Sequence, residues 1–260
     1  MRRLAKAIAA GLWSFPLAGG IVLGAAYAQP ASLAQYEQLL KGMLQQAEQT
    51  FGPESAEAAT SLETLALLYI GQQQYVTAEP FLLRALAIRE KALGTDHFSN
   101  ASTFEHLGNL YQRQGRLVEA EHAYQRSIEI ERKVAARGVA LPQALRNLAD
   151  LYRNQGRDDE AGALYQESLA IAEANWGPKS MGIASELLTF ARFQETIGQY
   201  EAAERMFLRA AEIYDGARGV APAKLAEVYG SVAAFYEKLG RNNEAASFAD
   251  KARQALKPRR

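Results

Sequence analysis

Three arginines carry the strongest candidate chemistry in this 260-residue chain. Arg146 and Arg153 stand seven residues apart, two turns along one face of a helix-periodic segment, and Arg192 follows in the next such segment. Guanidinium groups converging there would hold a carboxylate or an acidic peptide through paired, charge-assisted hydrogen bonds. The competing reading is that Asp150, four residues after Arg146 and three before Arg153, neutralises both at the surface. No catalytic set accompanies them. His97, His106 and His122 form no i, i+4 pair and no metal spacing. Glu129 and Glu131 are unremarkable in a chain of 29 acids, and Asp158–Asp159 follows a turn, where carboxylates favour a helix start. There is no glycine-rich phosphate loop and no nucleophile elbow. The absence of cysteine excludes disulfides, thiolate metal sites and a cysteine nucleophile. The chain therefore reads as a non-enzyme, with no cofactor and no metal expected.

The elements that must position these arginines are set by a small-residue beat recurring at 41 or 42 residues. It runs Ala66, Ala78, Ala85; Gly108, Ala120, Ser127; Ala149, Ala161, Ser168; Ala191, Ala203, Ala210; and Ala233, Ala245, Ala252. The inner steps are 12 and 7 in all five sets, the signature of a stack of repeated units. Around each beat sits an apolar frame with steps of 3 and 4. In the third unit it is Leu145, Leu148, Ala149, Tyr152, then Ala161, Tyr165, Ser168. Each unit is thus two helices. Gly115, Gly156, Gly198 and Gly240 mark the turns between them, while the first unit carries Gln73 at that place.

This frame of large apolar residue, Leu-Gly or Leu-Ala, Tyr, then Ala, aromatic, Ala resembles the tetratricopeptide repeat over roughly residues 54–257. The usual unit of that family is about 34 residues. The longer unit here is similar to the kinesin light chain type. The resemblance implies an all-α, right-handed superhelical solenoid of stacked antiparallel helix pairs. The expected organisation is a leader at 1–28, a capping helix at 29–53, and units at 54–96, 97–137, 138–179, 180–220 and 221–260, the last with a basic tail. Repeats and cap leave no span for a catalytic domain of ~100 residues. The capping helix, with Leu33, Tyr36, Leu39, Leu40, Met43, Leu44 and Ala47 along one side, reads as an orphan second helix. The last helix is thinned to Ala245, Ala246, Phe248, Ala249, Ala252 and Ala255, a weakly apolar outer face that caps itself or docks on a partner or a second copy.

The amino terminus reads as an address. A basic start, Arg2, Arg3 and Lys6, precedes an uncharged run from Ala7 to Ala28 that ends Ala26-Tyr27-Ala28. That fits a secretory signal cleaved after Ala28, or an uncleaved membrane anchor. The expected location is periplasmic or secreted; the alternative is inner-membrane anchored, facing the periplasm. Without residues 1–28 the chain has 26 basic residues against 29 acids, since Arg2, Arg3 and Lys6 are lost from 29. That balance offers no footprint for nucleic acid. The glycosylation triplet Asn100-Ala101-Ser102 falls inside a helical unit and is discounted.

In the resembled family the first helices line the binding face. The candidate contacts are Glu105, Asn109, Arg113, Arg146, Asp150, Arg153, Arg192 and Glu195, with Glu63, Leu67 and Leu188 among other inward positions. The lysine, asparagine and arginine clamp for carboxy-terminal peptides known in some relatives is matched at Asn109 and Asn147 but not supported as a whole: Glu105 stands at its first lysine, and Ser185 and Thr189 at its last basic pair. The partner expected is a protein, through a peptide segment, with membrane contact only if the leader is retained. Two other functions stay open, a structural assembly subunit docking through its C-terminal or convex face and an accessory factor for an envelope-polymer enzyme. Tyr69, Tyr111, Tyr152 and Tyr236 read as packing residues rather than a sugar platform. Gln194 breaks that series, as either a weaker packing joint in the fourth unit or a polar contact. Reversing Arg146, Arg153 and Arg192 together is expected to abolish acidic-partner binding and leave melting unchanged.

Overall fold

The computed structural model describes residues 30–133 and 140–257. The leader with its cleavage point, the boundary expected at 137/138 and the last three residues of the basic tail lie outside the described residues. Among the described residues the chain is all-α. Eleven helices follow in order: α1 Pro30–Phe51, α2 Ala56–Gly71, α3 Tyr75–Leu93, α4 Phe98–Arg113, α5 Leu117–Lys133, α6 Leu141–Asn154, α7 Asp158–Trp176, α8 Met181–Thr196, α9 Tyr200–Gly216, α10 Pro222–Lys238 and α11 Asn242–Ala255. They form two compact units, one ending at Arg116 and one beginning at Leu117. In the first, α1 packs on α2, α2 on α3, and α4 on both α2 and α3. In the second, each helix from α5 to α11 packs on the next. None of these helices is long and apolar enough to cross a membrane.

The small-residue beat is where the helices meet. Ala66, Ala78 and Ala85 are wholly buried in the first unit, as are Ala149, Ala161, Ala191, Ala203 and Ala210 in the second. Only Ala252, on the terminal helix, is incompletely covered. Larger side chains there would overpack the contacts at about 1–3 kcal/mol each. Leucines and aromatics fill the remaining volume. Leu62, Leu65 and Leu82 are fully buried in the first unit, and Phe193, Phe207 and Phe235 in the second.

Capping follows the chemistry of each start. Ser55 accepts a hydrogen bond from the Ala58 amide at 3.1 Å, and Ser180 from that of Ile183 at 3.3 Å. His97 does the same through Nδ1 to Ser99 at 3.3 Å, which accounts for one histidine. Asp158, Asp159 and Glu160 fill the first turn of α7. Asn100 is wholly buried and donates to the carbonyls of Gly94 and Thr95, so the folded chain offers no glycan acceptor there.

The turn at Gln73 has a cost. Gly115, Gly156, Gly198 and Gly240 close their turns at φ of 70 to 77°, and Gln73 takes the same left-handed conformation at 60°. A Cβ there costs roughly 1 kcal/mol relative to glycine. Gln73→Gly is therefore expected to stabilise the chain by about 1 kcal/mol, read as a rise in denaturation midpoint. An unchanged midpoint would show that Gln73 makes a compensating contact.

Candidate functional site

The first helices of the second unit, α6, α8 and α10, bring together five of the eight candidate contacts. Arg146, Asp150 and Arg153 lie on α6, and Arg192 and Glu195 on α8. Glu105, Asn109 and Arg113 lie on α4 of the first unit, the first two half-buried and Arg113 exposed.

The three arginines are not equivalent. Arg146 does not meet Asp150. Its guanidinium reaches Glu186 on α8 at 2.7 Å, with side-chain exposures of 20% and 8%. The second Glu186 oxygen faces the Ser168 hydroxyl at 3.2 Å, and Gln143 takes the other arginine nitrogen. Burial pushes the Glu186 carboxyl above the usual range, opposed in part by Arg146 and Ser168. Arg153 pairs with Asp150 at 3.2 Å, and Asp150 also accepts from the Tyr165 hydroxyl. Tyr165 is held far above the ordinary phenol range by burial first, and then by that carboxylate. Arg192 alone has no carboxylate partner among the described residues. It is exposed and donates to the Ser231 hydroxyl on α10 at 3.1 Å. Glu195 pairs with Lys238 of α10 at 3.0 Å.

Two corrections follow. Arg146→Glu would set a second carboxylate beside buried Glu186, so reversing all three arginines cannot leave melting unchanged. Glu63 and Leu188 are not free inward contacts: Leu188 is 5% exposed, and Glu63 receives Arg89 Nη2 at 2.7 Å. Around that second pair lie Thr103, wholly buried, and His106 with Nε2 at 3.8 Å from Glu63. Burial lowers the His106 pKa, opposed by Glu63 and reinforced by Arg89. His122 is exposed, and among the described residues no group of three or more acidic or histidine side chains is placed to hold a metal.

The tyrosine series is structural. The Tyr152 hydroxyl donates to Glu121 at 2.8 Å, while Arg157 stacks on the Tyr152 ring at 3.7 Å and donates to the same carboxylate at 2.9 Å. Tyr236, Glu204 and Arg241 repeat this with a 2.8 Å hydroxyl bond and a two-oxygen arginine contact at 2.9 Å. Burial, reinforced by Glu204, pushes the Tyr236 pKa up to about 12. In the first unit Arg116 grips Glu79 and stacks on Tyr111, and Tyr69 donates to Glu37. The signal was present in the sequence as Glu, Tyr and Arg at spacings near 32 and 37. It also explains Gln194. At that joint all three members change together, to Gly162, Gln194 and Gln199. Rings of Tyr165, Phe190 and Phe193, with centroids 5.0 to 6.2 Å apart, pack there instead.

Stacked two-helix units recurring along the chain define a helical-repeat protein. The chain belongs to the tetratricopeptide repeat family, whose model matches residues 23–91, 57–133 and 141–216. In structure it is similar to BtubC (BKLC) from P. vanneervenii, with a TM-score of 0.71 and 21% identity over 88% of this chain and 93% of that one. It is also similar to the nearly identical TPR-like repeats assigned to a kinesin light chain of Podosopora anserina, with a TM-score of 0.66 and 21% identity over 77% and 96%. The apo form of the quorum sensor NprR from B. thuringiensis follows at 0.62 and 18%, over 92% of this chain and 64% of that one. These likenesses establish the repeat fold, with kinesin light chain-like units. Among curated proteins, none matches the chain in sequence.

Proposed function

We infer that this chain is a non-catalytic interaction module of the bacterial cell envelope that holds a peptide segment of a protein partner against α6, α8 and α10. Membership of a family of interaction repeats supports the general role. The leader pattern ending at Ala28 supports the location. The observation that carries the binding reading is Arg192, an exposed guanidinium on the first-helix face with only a hydroxyl for company. A rigid repeat stack loses little ordering entropy when an extended segment binds, and an acidic residue of that segment would complete Arg192 with paired hydrogen bonds.

The test is co-purification of the tagged full chain after crosslinking in its host, wild type against Arg192→Glu. The expected result is loss of an acidic partner at unchanged melting. Retention of the same partner at the same yield would remove Arg192 and the first-helix face from the interface.

A further inference from the structure

Three second helices, α3, α7 and α9, are tied to the second helix before them by an ion pair 35 or 36 residues apart. Arg84 of α3 meets Glu48 of α1 at 2.7 Å and donates to the Pro53 carbonyl at 3.2 Å. Arg209 of α9 meets Glu173 of α7 at 2.5 Å and donates to the Pro178 carbonyl at 3.1 Å. Between α5 and α7 the charges are exchanged, and Arg132 meets Glu167 at 2.7 Å. The next pair in this register is Asp215 at the end of α9 with Lys251 of α11, 36 residues on.

That pair does not form. Asp215 accepts from the Tyr229 hydroxyl, while Lys251 Nζ lies over the rings of Phe248 and Tyr229 at 4.9 and 5.7 Å. A cavity of about 620 Å³ lies there, between the connection after α9, the start of α10 and the last turns of α11. Tyr214, Val220, Leu225 and Tyr229 supply apolar wall, and Arg218 and Lys251 supply positive charge. Neither cation has a carboxylate partner among the described residues, whereas Asp215 is already hydrogen-bonded. The size falls within the range of small-ligand sites, which combine apolar walls with a few charged anchors.

We propose that this cavity binds a carboxylate carried on an apolar or aromatic group, with Arg218 and Lys251 as its cationic contacts. The apolar body packs on the tyrosine and leucine wall, and the guanidinium offers a paired set of donors to the carboxylate. The site owes nothing to α6 or α8, so it stands or falls apart from the first-helix reading. The same chemistry comes from two sources, a free organic acid or the carboxy-terminal residue of a peptide.

The test is a titration of the full chain, labelled with ¹⁵N, by N-acetylphenylalanine, by its uncharged amide, and by the tetrapeptide Ala-Ala-Ala-Phe with a free carboxylate. The acid is expected to shift the amides of Gly219, Leu225 and Lys251 and to bind at least tenfold more tightly than the amide derivative. Arg218→Glu with Lys251→Glu is expected to weaken it at least tenfold while the rest of the spectrum stays in place. Tighter binding of the tetrapeptide assigns the site to a peptide terminus, and equal binding assigns it to a free acid. Equal affinity for acid and amide, undiminished binding by the double variant, or no shift with either carboxylate would overturn the proposal.

Discussion

Arg89→Ala lowers the stability of the chain by about 3–5 kcal/mol, the cost of leaving a buried charge without its partner. Arg89 and Glu63 are exposed by only 8% and 14% and meet at 2.7 Å. Arg89 also donates to the Thr103 hydroxyl at 2.5 Å and to the Ser99 carbonyl at 3.4 Å, so one side chain joins α2, α3 and α4. Removing it takes the charged partner from the Glu63 carboxylate, which keeps the Thr103 hydroxyl at 3.3 Å and His106 Nε2 at 3.8 Å. Replacing both partners with apolar residues of similar shape, Arg89→Met with Glu63→Leu, recovers most of the loss, because no stranded charge remains. Urea denaturation of the three variants checks this. A loss under 1 kcal/mol in Arg89→Ala would mean that water reaches Glu63 and that the pair is a surface feature.

The second large effect is at Arg146. Arg146→Ala is expected to cost about 3–5 kcal/mol at neutral pH, since Glu186 stays buried and loses its cation. The loss depends on pH with a definite sign. Burial already raises the Glu186 pKa in the folded chain. Between the ordinary carboxylate range and that raised value the folded state binds more protons than the unfolded state, so stability falls as pH rises. Without Arg146 the pKa rises further and the window widens upward. The variant is therefore closest to wild type near pH 5 and furthest from it near pH 7.5. Glu186→Gln in the same background removes both the loss and its pH dependence. Equal losses at the two pH values would contradict the assignment of Glu186 as the stranded group.

These two pairs mark where sequence reading stops. The repeat length, the two helices per unit and the turn glycines follow from local periodicity, and every one of those elements forms. Within a helix, i, i+3 and i, i+4 neighbours are equally readable, and Arg153 does pair with Asp150 three residues before it. Arg146 has Asp150 four residues on, yet takes Glu186, 40 residues away, because stacking turns that carboxylate inward from the next first helix. Which face a helix buries also depends on that stacking, so Leu188, placed inward by counting, lies in the core. The Tyr, Glu and Arg sets were legible in principle, since they recur with the repeat. Their meaning required seeing that the glutamate comes from the preceding second helix. The cavity beside Lys251 has no local signature, because it follows from an ion pair made elsewhere in the chain and not made there.

The central claim is that a partner lies on the first-helix face, and photo-crosslinking tests it most directly. Benzoylphenylalanine is placed at Ser185 of α8 and Ala234 of α10, both exposed on first helices, and at Arg205 of α9 and Ala246 of α11, both exposed on second helices. In the native host, Ser185 and Ala234 should capture the same protein while Arg205 and Ala246 do not. Capture from Arg205 or Ala246, with none from Ser185 and Ala234, would contradict the claim and move the interface to the second helices.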